Sequence, residues 1–361
     1  MRKTILAIWI LIAIVIVSTG SVAAQDNCGN LSSADCAFLM TSEAIMQNTK
    51  SAVFRLDMEM TFSDTFGLMA DEPFALRIIA DGAYTLDLPQ ADETITMLQF
   101  IDGALRGINT DMTIIISLAD PTQPSSDDDV VTLDMRMVDG IFYFNGDKLD
   151  ESLAGAGWQG FDLAGFFSAA MAQLEGLLNM PMPESSESTT STLMGYGGLV
   201  RAEDDTINGR SMAVFEDSVT LSDYTEDPVE RALILDALED AIRSNAPFGY
   251  SDSEREEAAE AYLAMFENLQ VSLREYVGLD DNYLYRMELR LDFNPEPGAM
   301  SFDTPDPLGI QLLTFIDFGF TVELDLSQFD NAPFAVAPPG ATLIPLDELL
   351  RELGQLGDSA L

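Results

Sequence analysis

Strict two-residue alternation is the feature that most limits what this chain can become. Phe54, Leu56, Met58, Met60 and Phe62 alternate with Arg55, Asp57, Glu59 and Thr61. Successive side chains of a β-strand point to opposite faces, so such a segment reads as a strand with one face against apolar matter and one in water. The pattern recurs in Leu76 to Leu88, in Ile108 to Leu118, in Val131 to Met137, in Tyr283 to Phe293 and in Phe318 to Leu326. Its apolar parity is rich in methionine: Met58, Met60, Met112, Met135, Met137, Met212 and Met287 all fall on it in this register. Methionine is flexible and polarisable, and a wall of it can either fill an irregular core or repack around ligands of varied shape.

The first residues read as an export signal. Arg2 and Lys3 precede an unbroken apolar run, Ile5 to Val17, and Ser18 to Ala24 supplies small residues with Val22 and Ala24 at the positions a signal peptidase reads. Cleavage is expected before Gln25, giving a leader over 1–24. The run is shorter than the roughly 20 residues a transmembrane helix needs, and a retained leader acting as an anchor stays open. The product is expected to be secreted or extracytoplasmic, and soluble after cleavage. Cys28 and Cys36 lie close together near the new N-terminus, and in an oxidising compartment a disulfide closing that small loop is the default. Cys28 follows Gln25-Asp26-Asn27 and is not positioned for lipid attachment directly after the small residues.

The formal net charge is −44, and losing Arg2 and Lys3 makes it more negative. A surface of that sign argues against nucleic acid, whose phosphates need basic contacts, and against electrostatic docking on anionic lipid. The chain has no histidine, which removes the usual Ser-His and Cys-His nucleophile pairs and histidine-based zinc sites. No GxSxG, P-loop or GxGxxG occurs, and Asp127-Asp128-Asp129 lacks the Gly and Glu of an EF-hand loop. Those aspartates read as a solvated hairpin tip. Paired acids could in principle serve a glycosidase, but among 61 Asp and Glu residues any chosen pair is a chance pair. The expectation is no enzyme and no cofactor.

A leading helix is expected over Ala34 to Thr49, capped by Ser33 or Asp35. Strands follow over Ala52 to Phe62, Phe74 to Leu88, Ala104 to Leu118, Val130 to Val138 and Ile141 to Phe144, with Asp139-Gly140 as a tight hairpin turn. Trp158 to Asn179 has helical spacing and is apolar over much of its circumference, so it must be covered. A Ser/Thr-rich linker near 181–194 separates this half from a second of similar grammar. That half opens with strands over Tyr196 to Ala202 and Arg210 to Leu221, then helices over Val229 to Ser244 and Ser253 to Asn268. It closes with strands over Leu269 to Val277, Tyr283 to Phe293 and Gln311 to Leu326, and a terminal helix over Leu346 to Leu353. Sequential antiparallel strands with a few apolar helices define an α+β fold. The expectation is a single strongly curved antiparallel sheet, a half-barrel, with helices packed in its concavity. Residues 25–361 would form one such domain.

Three phrases carry a resemblance. Val138-Asp139-Gly140-Ile141-Phe142-Tyr143-Phe144, followed by Gly157-Trp158-Gln159-Gly160-Phe161-Asp162-Leu163, is similar to a passage of the LolA/LppX-like family of exported lipid carriers. Thr206 to Phe215 resembles that family's central hairpin, and Glu275 to Arg286 its late strand pair. The resemblance spans about Phe38 to Leu350 and implies a half-barrel whose hydrophobic cavity receives acyl chains. The chain departs from many members in lacking a suitable N-terminal cysteine for lipid attachment, and its loops are long and acidic. On this reading the ligand-lining set is Met58, Met60, Met112, Ile114, Met135, Met137, Met212, Met287, Phe166 and Phe167. Two function classes follow: a secreted binder of a lipid or other apolar ligand, or a cell-surface interaction module whose interior is filled by its own side chains.

Overall fold

The computed structural model describes residues 30–64, 74–87, 97–119, 130–148, 157–166, 198–245, 250–295 and 316–345. The helix α1 spans Ser33–Asn48, and Ser32, not Ser33 or Asp35, caps it: the Ser32 Oγ accepts a hydrogen bond from the Asp35 backbone N–H at 3.2 Å. The strands β1 (Ser51–Asp64) and β2 (Phe74–Leu86) follow. The next element corrects the expectation of one long strand from Ala104. A helix, α2 (Met97–Gly107), comes first and β3 begins only at Ile108 (Ile108–Ala119). Leu98, Ile101 and Leu105 already carry the helical spacing, and Arg106 pairs with Asp102 one turn back at 3.1 Å. Gly107 ends the helix where a Cβ would lie 2.0 Å from the Asp87 carbonyl oxygen.

β4 (Val130–Val138) and β5 (Ile141–Asn145) are joined at Asp139 and Gly140, both with positive φ, 53° and 79°, as a two-residue primed turn demands. A second correction falls at Trp158. Trp158–Asp162 is a strand, β6, paired with β5, and helical structure starts only at Leu163. Asp162 sets that boundary, its carboxylate accepting the Gly165 N–H at 2.7 Å. The expected linker, Asp127 to Asp129, the rest of the 158–179 segment and the terminal helix lie outside the described residues.

The second half contains β7 (Val200–Arg201), β8 (Asp205–Ile207), β9 (Arg210–Thr220), a short α3 (Leu221–Thr225), α4 (Pro228–Asn245), α5 (Asp252–Phe266), β10 (Gln270–Gly278), β11 (Leu284–Phe293), β12 (Ile316–Ser327) and β13 (Thr342–Leu343). The stretch read as one turn over Asp205 to Gly209 is the hairpin of β8 with β9, turning on Asn208 and Gly209.

All of these strands belong to one curved, unclosed, mostly antiparallel sheet. Its order is β13-β6-β5-β4-β3-β2-β1-β12-β11-β10-β9-β7, with β8 beside β9. The two halves meet where the first long strand pairs with the last, in unbroken register from Val53 opposite Ser327 to Asp64 opposite Ile316. Among the described strand pairs, β13–β6 alone is parallel. The helices α1 and α5 lie on the face that carries the apolar parity, hereafter the inner face. α1 does so through Leu39 against Phe215 and Val277, and α5 through Tyr262 and Met265 against Phe293.

Candidate binding face

The inner face is built by register. Met58 lies between Ile78 on β2 and Val322 on β12. Two same-face steps along the strands, Met112 faces Gly82 on one side and Met135 on the other, and Met135 in turn faces Phe144 on β5. Leu56, Met58, Ile78, Ala80, Met112, Ile114, Leu133, Met135 and Val322 form one buried cluster. Gly82 is required there: a Cβ would sit 2.6 Å from the Asp111 carbonyl oxygen and 2.9 Å from the Phe54 ring, which lies over it.

The cluster has a fringe that is only half-buried. Across β1, β12 and β11 the register aligns Met60 with Phe320 and Leu291, and Met58 with Val322 and Leu289. One step on, it aligns Leu56 with Leu324 and Met287. Met60, Phe320, Leu289, Leu324 and Met287 all retain partial exposure. The stripe runs between the region held by α1 and the region held by α5. Buried Met58, Met112, Ile114, Met135 and Met137 therefore occupy the floor, while Met60 and Met287 occupy the accessible fringe. Phe166 is half-buried in the helical turn after β6, and Phe167 lies outside the described residues.

Met212 is a correction. It lies on the opposite, outer side of the sheet, buried with Val214, Tyr276, Ala202, Ile207 and Tyr285. Met212, Ala213, Val214 and Phe215 are all buried, so both faces of β9 are apolar and alternation cannot tell them apart. A β-bulge adds to this. Arg286 stands opposite Tyr276 but Leu284 stands opposite Val277, leaving Tyr285 as the extra residue. Leu284 thus packs inward with Leu39, and Tyr285 joins Met212. The expected run of inward Tyr283, Tyr285 and Met287 is broken there. Burial first, and then its hydrogen bond to Asp281 at 2.8 Å, push the Tyr285 hydroxyl up to about 12.

Charge is sorted by the sheet. Arg55 pairs with Asp81, Arg77 with Asp57, Arg136 with Asp111, and Arg274 with Glu216, all across neighbouring outer-face strands at 2.6–3.1 Å. Arg286 is shared by Asp325 at 2.7 Å and Glu323 at 2.9 Å. Every described arginine is ion-paired, including Arg201, Arg210, Arg231, Arg243 and Arg255 beyond this ladder. On the sheet, the arginines of β1, β2, β4, β10 and β11 tie neighbouring outer-face strands together.

Two acids break the sorting. Glu275 and Asp217 occupy inner-parity positions, Glu275 opposite Phe215 and Met287, and Asp217 opposite Leu273. The signal was present in β10, where Val271, Leu273, Glu275 and Val277 share one parity. Glu275 keeps partial exposure, yet desolvation among its apolar neighbours, reinforced by the Glu43 charge on α1, pushes its carboxyl up to about 7. Burial also raises Asp217, against a lowering backbone hydrogen bond from Ser218. An open groove of about 410 Å³ lies on the other flank of α1, lined by Thr41, Ala44, Ile45, Asn48, Tyr283 and Asp330. Among the described residues no group of acids and cysteines is arranged to hold a metal ion, and no helix is long and apolar enough to cross a membrane.

No protein-family model and no curated protein matches the chain. Among solved structures, LprF from Mycobacterium bovis is 11% identical with a TM-score of 0.35, covering 86% of this chain and 99% of LprF. The lipoprotein LppX from Mycobacterium tuberculosis is 10% identical with a TM-score of 0.31, covering 84% of this chain and 100% of LppX.

Proposed function

We propose that this chain is an exported, non-enzymatic binding protein that holds a lipid or other apolar molecule against the inner face of its open sheet. The observation that carries the reading is the half-buried stripe of Met60, Phe320, Leu289, Leu324 and Met287, continuous with the buried floor and flanked by two helical covers. A contiguous apolar surface that keeps partial exposure supports a binding role. Burial of an acyl chain there is worth about 0.8 kcal/mol per CH₂ and needs no chemistry. Methionines at the fringe let the wall adapt to the ligand. In this reading the leader over 1–24 directs export and Cys28–Cys36 staples the segment ahead of α1. The fold around the stripe is one domain over 25–361.

A second reading rests on the floor itself. Met58, Met112 and Met135 are 1–4% exposed, already covered by the protein's own side chains. If the fringe is covered likewise in solution, the chain is an interaction module with a packed interior. Native mass spectrometry of gently purified mature protein separates the two. The binder is expected to carry lipid, and the delipidated protein to take up an apolar solvatochromic fluorophore. Leu289→Glu is expected to abolish that uptake while the protein stays folded. Absence of both lipid and uptake refutes the binding reading in favour of the packed module.

A further inference from the structure

The inner face carries a device that an inert wall has no use for. α1 lies across β9 and β10, with Leu39 buried against Phe215 and Val277 and the Phe38 ring stacked on Phe215 at 6.1 Å between centroids. α1 thus crosses the stretch of sheet where Glu275 is the register neighbour of Phe215, and Glu43, one helical turn beyond Leu39, is the α1 charge that acts on Glu275. Two carboxylates therefore share the seam between helix and sheet. We propose that Glu43 and Glu275 form a pH-responsive latch, which holds α1 on the inner face while Glu275 is protonated and loosens it when both carboxylates are charged.

Among the described residues, these groups surround the seam. On β11 the neighbour of Glu275 is Met287, and on β9 it is Phe215, with Asp217 one pair further along the same face. From α1 the facing charge is Glu43, to which Gln47 donates a hydrogen bond at 3.1 Å. Among the described residues a cation on this side, Arg201 of β7, lies over the Phe215 ring at 5.2 Å and is committed to Asp35 of α1 at 3.5 Å and to Asp204. Arg274, next in sequence to Glu275, points to the outer face and binds Glu216. Desolvation and the Glu43 charge thus both favour the neutral Glu275, and the cation near the seam is already used.

The sign follows from linkage. With its carboxyl raised to about 7 when α1 is docked and near its ordinary 4.5 when α1 is released, Glu275 binds its proton more tightly in the docked state. Docking is therefore strongest below about pH 4.5, weakens as pH rises between about 4.5 and 7, and is level above that. In the binding reading, release of α1 would uncover Phe215 and Val277 at one end of the apolar wall. The latch itself does not depend on a ligand.

The test is amide hydrogen exchange of ligand-free mature protein, following peptides that cover 38–48 at pH 4.5 and pH 8 after correction for intrinsic rates. Wild-type protection of α1 is expected to fall by roughly ten- to three-hundred-fold across that range. Glu275→Gln, which keeps the shape without the titration, is expected to hold the low-pH protection throughout. Glu43→Gln removes the second charge but not the burial, and is expected to reduce the fall without abolishing it. Equal wild-type protection at both pH values overturns the latch, and so does an undiminished fall in Glu275→Gln. Exchange in β1 to β4 serves as the internal reference and is expected not to follow the Glu275 substitution. Because no lipid enters the experiment, its failure leaves the binding reading standing, and absence of lipid binding leaves the latch standing.

Discussion

Met135→Glu tests the register of the whole inner face. Met135 is 1% exposed and lies between Met112 on β3 and Phe144 on β5, within the cluster that also holds Ile78, Ile114 and Leu133. Truncation to alanine removes the whole buried thioether chain and leaves a cavity, which costs about 2–5 kcal/mol. Glutamate costs more, because its carboxylate would be buried with no cation in reach. Arg136 is adjacent in sequence but points to the outer face, where it is held by Asp111 at 3.1 Å and stacks over Trp158 at 5.1 Å. The charge must then stay neutral or open the sheet, at a cost of several kcal/mol against a total stability of about 5–15 kcal/mol. Met135→Leu keeps volume and polarity and should cost less than about 1.5 kcal/mol. Thr132→Glu, three residues back and on the outer face, should stay within about 1 kcal/mol of wild type. Urea unfolding followed by circular dichroism measures the series. The expected order of midpoints is wild type, Thr132→Glu and Met135→Leu close together, then Met135→Ala, then Met135→Glu lowest or unfolded. A Met135→Glu protein with an unchanged midpoint would refute the assignment of Met135 to the buried face.

Two further substitutions probe the sheet. Gly82→Val drives a side chain into the Asp111 carbonyl and the Phe54 ring and should cost at least about 1–3 kcal/mol, read as a lowered melting temperature. A melting temperature at or above wild type would remove the close approach of β1, β2 and β3 at that point. Arg286→Leu leaves Asp325, Glu323 and Glu288 facing one another without their shared cation. Its destabilisation should exceed that of Arg55→Leu, which breaks a single exposed pair, and should shrink in high salt. Equal losses for the two arginines would contradict the networked arrangement.

Legibility followed the local physics. β4 was read to the residue, and the Asp139-Gly140 turn with it, because alternation and turn chemistry agree there. α2 is hidden in the sequence because the alternation of β3 runs back into residues whose three- and four-residue spacing is helical. β6 is masked by the apolar stretch that follows Trp158 to Asp162, although Asp162 marks the break. The face of Met212 is not legible, because an apolar run with no polar partner carries no parity. Glu275 interrupts the apolar parity of β10, but an isolated acid among so many looks like one more surface charge.

From the sequence alone came the period-two faces of the long strands, the excess of acid, the absence of histidine chemistry and the apolar, methionine-rich wall. These properties depend on neighbours within a few positions, where backbone geometry dictates which way a side chain points. The tertiary structure decided which strands meet, and with that how deep each methionine lies. It set β1 against β12, let a bulge between Tyr276 and Val277 turn Leu284 inward and Tyr285 outward, and laid α1 against Phe215 and Val277. Those outcomes depend on chain segments far apart in sequence, whose pairing is chosen by the packing of whole faces and not by any local pattern.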